Sequence, residues 1–132
     1  MIRRVIVILV VGIVTQAMAQ EKGVPCEQSK IIVDRCFVVH GRLSVANGDP
    51  DIRIWKIGTN RVLGVVDGAG QAETENVLPA QLRTIVGGAE PNPEDTVWAD
   101  FKVCPQTRSR PGWMQMVCLK SAAHVFLVSP QK

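Results

Sequence analysis

The 132-residue sequence contains no tyrosine, three phenylalanines, three tryptophans and two histidines. Each scarcity removes a class of function. Sheets that stack successive nucleic-acid bases need several open aromatic faces, and six aromatic side chains are few for that. Nucleophilic hydrolysis needs a hydroxyl or thiol beside a base; the histidine bases on offer are His40 and His124, and no GxSxG turn occurs. Structural zinc sites are announced by CxxC or HxxxH spacing, and neither is present. Cys36 with His40, and Cys118 followed by His124, are the nearest approaches. Gly68-Ala69-Gly70 opens a polar stretch and not a helix, so it makes no phosphate cradle. No metal or cofactor is expected. The aspartates Asp34, Asp49, Asp51, Asp67 and Asp100 show no spacing that singles out a catalytic pair.

The apolar run Val5 to Val14 is half of the about 20 residues needed to span a bilayer. It follows Arg3-Arg4 and precedes Ala17-Met18-Ala19, which is the grammar of a secretory leader with cleavage before Gln20. The expected organisation is therefore a signal peptide, residues 1–19, and a single β-rich domain, residues 20–132, exported to the periplasm or the exterior with no stable membrane anchor after cleavage. The formal net charge of +3 falls to +1 when Arg3 and Arg4 leave. That near-neutral balance argues against nucleic acid as a partner.

All four cysteines, Cys26, Cys36, Cys104 and Cys118, lie in the expected mature part, and an even number in an exported chain reads as two disulfides. Proximity in sequence favours Cys26 with Cys36 and Cys104 with Cys118.

What the chain has in abundance is alternation. Ile31, Val33, Phe37, Val39, Leu43 and Val45 share one parity and Asp34, His40, Arg42 and Ser44 the other, which predicts a long strand from Ile31 to Ala46 with one buried face. Gly41 marks a bulge, a bend or the close approach of another backbone. Asn47 to Pro50 and Gly58 to Asn60 are turns flanking a second strand, Ile52 to Ile57, and Arg61 to Val66 is a third with both faces covered. Asp67 to Asn76 reads as an exposed loop, including Glu73 and Glu75. Leu78, Leu82, Ile85 and Val86 predict a short helix ending at Gly87-Gly88. Thr96 to Cys104, Trp113 to Lys120 and His124 to Val128 are three further strands. The fold class is mainly β: a small antiparallel barrel or sandwich of five to seven strands, one short helix and two disulfides.

Arginine and tryptophan are the side chains most enriched at binding hot spots, so the candidate surface is Arg53, Trp55 and Trp98 on strands with Arg108, Arg110 and Trp113 on the loop after Cys104. The runs Cys36 to Leu43, Arg53 to Thr59 and Asp100 to Pro105 resemble those of uncharacterised small exported bacterial proteins with a disulfide-containing β domain. That resemblance implies export and lends no activity. The function expected is a non-enzymatic binding or structural module whose partner is an envelope protein or glycan. The alternatives are an enzyme inhibitor presenting a loop closed by Cys104 and Cys118, or a small hydrolase.

Overall fold

A computed structural model of the chain describes residues 10–14 and 21–130. The expected leader therefore lies largely outside the described residues; Val10, Val11, Ile13 and Val14 are exposed. Five strands follow: β1 (Phe37–Val45), β2 (Ile52–Lys56), β3 (Val62–Val66), β4 (Thr96–Pro105) and β5 (Gln115–Val128). They close into a barrel in the order β1-β2-β3-β5-β4, with β4 returning to β1. Four seams are antiparallel and β3 with β5 is parallel. A parallel seam needs a crossover, supplied here by the chain from Asp67 to Met114. This connectivity, with the helix α1 (Ala80–Val86) between β3 and β4, is that of the five-stranded Greek-key barrel called the OB-fold.

Strand parity sets the core. Val39 and Leu43 of β1, Ile52 and Ile54 of β2, Leu63 and Val65 of β3, Val97, Phe101 and Val103 of β4 and Val117 and Leu119 of β5 point inward and are buried. Leu78 and Leu82 add to this cluster from α1 and the turn before it. The helix begins after Pro79, whose fixed φ of −64° suits that position, and stops at Gly87 in the left-handed region, where its N–H reaches the Arg83 carbonyl.

Gly41 is the close approach that its place in β1 implied. A β-carbon there would lie 2.6 Å from Ile54 Cγ2 and 2.9 Å from the Trp55 carbonyl oxygen. Gly41→Ala is expected to push β1 from β2 and to destabilise the protein by about 2 kcal/mol, in the range of overpacked cores. A thermal melt reads this directly, and an unchanged midpoint would mean the two strands have slack.

Four expectations need correction. The first strand begins at Phe37, not Ile31. Ile31 and Val33 are exposed, and Val33 N–H bonds to the Pro105 carbonyl, so the apolar alternation before Cys36 belongs to an extended lead-in outside the barrel. The last two expected strands are one, β5, with register irregularities opposite Trp98/Asp100 and Lys102/Val103. Extra residues in these bulges break the parity from which two separate strands were read.

The disulfides join Cys26 to Cys118 and Cys36 to Cys104. Cys104 and Cys118 face each other across β4 and β5, yet each bonds a cysteine of the lead-in. The lead-in folds back on this hairpin, bringing the sulfurs of Cys26, Cys104 and Cys118 within 4.8 Å of one another. Sequence proximity misleads here because the strand pairing brings together residues far apart in the chain. As disulfide sulfurs, none of the three offers a thiolate to a metal.

Asp67 to Asn76 is not an exposed loop throughout. Asp67 is 1% exposed and Thr74 is buried. The Asp67 carboxylate accepts from the N–H groups of Val24, Ala69 and Gln71 and from the Thr74 hydroxyl, at 2.8–3.1 Å. Burial alone would raise its pKa, but the Gln71, Ala69 and Val24 N–H groups and the Thr74 hydroxyl outweigh that and hold it below 3.8. One side chain thus fastens the lead-in to the crossover. Glu73 stands at φ 62°.

Candidate functional site

The outward parity of the barrel builds the site. On β1 the outward residues are Val38, His40, Arg42 and Ser44, and on β2 they are Arg53 and Trp55. Register places Arg42 opposite Trp55 on one side and Trp98 on the other. Trp55 in turn pairs with Val62 of β3, and Trp98 with Phe126 of β5. A belt therefore runs across all five strands: Phe126, Trp98, Arg42, Trp55, Val62. Phe126 is 67% exposed and Val62 37%.

The centre of the belt is a cation held by two rings. The Arg42 guanidinium carbon lies 5.1 Å from the Trp55 ring centroid and 5.7 Å from that of Trp98. The two indoles meet edge to face, centroids 6.4 Å apart at 82°. Such contacts contribute about 0.5–1 kcal/mol each at partly exposed sites. The Trp55 indole N–H is anchored on the Thr59 carbonyl at 2.6 Å, which fixes the ring. Arg42 Nε is buried and has no hydrogen-bond partner among the described residues.

Beside this pair lies a pocket of ≈ 270 Å³ whose walls include Arg42, Ser44, Arg53 and Trp55. Arg53 is oriented by the β1–β2 loop, donating to the carbonyls of Pro50 and Asn47 at 3.0 and 3.1 Å. Val62 is shared with a larger groove of ≈ 530 Å³ between the β2–β3 turn and the β4–β5 loop. Arg61 crosses its floor, donating to Ser109 Oγ and Gln115 Oε1 at 2.9 and 2.8 Å. On its far wall Arg110 stacks over Trp113 at 5.3 Å, and Trp113 is 72% exposed. None of Arg42, Arg53, Arg61 and Arg110 forms an ion pair among the described residues.

Of the six candidates read from the sequence, Arg53, Trp55 and Trp98 lie on the belt or its pocket, and Arg110 and Trp113 line the groove. Arg108 is exposed on the same loop but outside the groove lining. Sequence reasoning missed Arg42, Arg61, Val62 and Phe126. Arg42 carried a signal, being on the polar parity of β1, but only the register shows that it falls between two tryptophans.

The loop expected to be closed by a Cys104–Cys118 bond is closed otherwise. Gln106 and Thr107 N–H groups donate to the Met116 carbonyl, Thr107 Oγ1 accepts from Met116 N–H, and Gln115 Nε2 donates to the Thr107 carbonyl. The disulfide premise of the inhibitor reading is thereby removed.

Both histidines converge on Asp100 from neighbouring strands. His40 Nδ1 bonds one carboxylate oxygen and His124 Nδ1 the other, the latter at 2.8 Å. The bonds from His124 and His40 hold the Asp100 carboxyl below 3.8. Among the described residues the hydrogen-bond partner of each imidazole is the Asp100 carboxylate.

At the other end of the β1–β2 loop, Glu90 sits near Asp51 and Glu73. Burial, followed by the charge and hydrogen bond of Asp51 and the charge of Glu73, raises its pKa above 4.5. A carboxyl whose folded pKa is raised weakens the fold once pH exceeds it and ceases to do so when protonated. Glu90→Gln is accordingly expected to give a small stabilisation at pH 7 that vanishes below about pH 4. Paired urea melts at the two pH values check this; a variant less stable than wild type at pH 7 would contradict it.

Among the described residues no helix is long and apolar enough to cross a membrane. Compared with protein-family models, curated proteins and solved structures, the chain matches none of them.

Proposed function

We propose that this protein is a non-enzymatic binding module, exported to a bacterial periplasm or the cell exterior, that holds an envelope glycan on the belt and the adjoining groove. The observation that carries the reading is the placement of Arg42 between Trp55 and Trp98, in a row that continues through Val62 to Arg61, Arg110 and Trp113. A half-buried arginine beside tryptophan is hot-spot chemistry. Barrels of this connectivity hold oligomeric ligands on the β2–β3 face and at the β1–β2 and β4–β5 loops. Here the pocket lies on the outer face of β1, β2 and β3, and the β4–β5 loop forms one wall of the groove, whose other wall is the β2–β3 turn, so that support is by analogy of fold and is partial. Export is supported by the leader grammar of residues 1–19 and by the two disulfides, which persist in oxidising compartments. A glycan needs a single open indole, and Trp113, 72% exposed with Arg110 over one face, can pack its other face on sugar C–H groups while polar neighbours meet the hydroxyls.

The test is a titration of the mature protein with polysaccharide prepared from the producing cell's envelope, read by tryptophan emission. Saturable change in wild type, lost in Trp113→Ala with an unchanged melting temperature, supports the proposal. No change with any envelope fraction contradicts it.

A further inference from the structure

Arg42 is anomalous on physical grounds. A guanidinium offers five N–H donors, and buried donors in native proteins find acceptors almost without exception. Arg42 has against it two indoles, themselves set edge to face, and, among the described residues, a buried Nε without an acceptor and no ion pair. Removing a charged donor from water without a replacement acceptor costs free energy. A structural arginine in such a position ordinarily meets a carboxylate or a carbonyl. The adjoining pocket has a second arginine, Arg53, which two loop carbonyls hold in place, and the hydroxyl of Ser44, two residues along β1 from Arg42 and paired with Arg53. Two fixed guanidinium groups and a hydroxyl around a small hollow form the donor set that planar and tetrahedral oxyanions take.

We infer that the pocket between Arg42 and Arg53 is an oxyanion site, and that the ligand on the belt is an acidic saccharide whose carboxylate or sulfate fills it. This rests on the binding-module reading and names the ligand class of the same face. The charge of the ligand supplies the counter-ion that Arg42 and Arg53 lack among the described residues, and its ring packs along the Val62 side of the pocket. Arg61 and Arg110 then meet further anionic groups where the chain of sugars passes into the groove. A single strand of nucleic acid fits less well. It needs open ring faces for successive bases, whereas Arg42 occupies faces of Trp55 and Trp98 and Arg110 one of Trp113.

Isothermal titration of the mature protein distinguishes the sources of the anion. The probes are an oligogalacturonate, a sulfated oligosaccharide, a neutral cello-oligosaccharide, an oligothymidylate and vesicles containing phosphatidylglycerol. The expected result is that one acidic oligosaccharide binds at least tenfold tighter than the neutral one. Arg42→Gln and Arg53→Gln are each expected to remove most of that preference, while Lys102→Gln, on an outward position away from the pocket, leaves it intact. Arg42→Gln releases two indoles and can perturb the strand locally. Arg53→Gln, on the opposite wall, and Arg42→Lys, which keeps the charge, therefore stand beside it, with circular dichroism as the control of fold. Equal affinity for neutral and acidic probes, or a preference that survives both glutamine variants, overturns the oxyanion site. Tighter binding of oligothymidylate or of the vesicles than of either acidic saccharide overturns the ligand class. Failure of all five probes while envelope polysaccharide still alters tryptophan emission overturns this inference alone; failure of that polysaccharide as well overturns the binding-module reading with it.

Discussion

Reduction of the two disulfides is expected to unfold the protein at 37 °C. The bonds Cys26–Cys118 and Cys36–Cys104 close loops of sequence separation 92 and 68. In the chain-entropy model each such closure contributes roughly 4 to 5 kcal/mol, although the two loops overlap and the effects will not simply add. A domain of this size has about 5 to 15 kcal/mol in total, so losing both removes most of it. The bonds also do something that the barrel seams do not: they hold the lead-in, with Cys26 buried against Cys104 and Cys118, over the β4–β5 hairpin. Far-ultraviolet circular dichroism with and without reductant measures the outcome. The double variant Cys36→Ala with Cys104→Ala is expected to keep the barrel but melt about 10–25 °C lower, from the usual 2 to 5 kcal/mol for one bond. A reduced protein with an unchanged melt would mean the hydrophobic core suffices alone.

The second large effect is Asp67→Ala. It strips the acceptor from three backbone N–H groups and one hydroxyl at once, on two segments that have no sheet pairing with each other. Each buried donor left unsatisfied costs about 1–3 kcal/mol, and partial relaxation toward water brings the expected loss to about 4 kcal/mol. Asp67→Asn retains a carbonyl acceptor at the same place and is expected to lose about half as much. The sign of the pH dependence follows from the depressed folded pKa. The carboxylate contributes its full stabilisation above the unfolded pKa near 3.8, and that contribution is lost as pH falls through the lower folded value. Wild-type stability should therefore decline below about pH 4 more steeply than that of Asp67→Asn. Chemical denaturation at pH 7 and pH 3 measures both the magnitude and the sign; parallel curves would contradict it.

What the sequence made legible was local. Parity along Val97 to Val103 identified the buried face of β4, and Leu78 to Gly88 identified the helix and its glycine stop, because each depends on neighbours a few residues away. The pairings Cys26–Cys118 and Cys36–Cys104 were hidden because they depend on which strands lie side by side. The same is true of Arg42: its outward direction was readable, but its two tryptophan neighbours lie 13 and 56 positions further along the chain and meet it only through register. The burial of Asp67 is not legible in a polar stretch, because polar composition suggests exposure, whereas a buried carboxylate with four donors is stable. The inward Ile31 and Val33 of the reading failed for the converse reason: alternation shows that a segment can be a strand, and says nothing of whether a partner is there to pair with it.

The proximity of all three indoles to the belt and groove makes one measurement decisive for the binding face. A nitrogen-15 correlation spectrum shows one indole N–H signal for each of Trp55, Trp98 and Trp113, and the acidic oligosaccharide can be titrated against these three reporters. Trp55 and Trp113 are expected to shift with the same saturation curve, joined by the backbone amides of Ser44, Arg53 and Val62. Signals that leave these residues unmoved while others respond around Ile31 and Gly68, on another part of the surface, would contradict it.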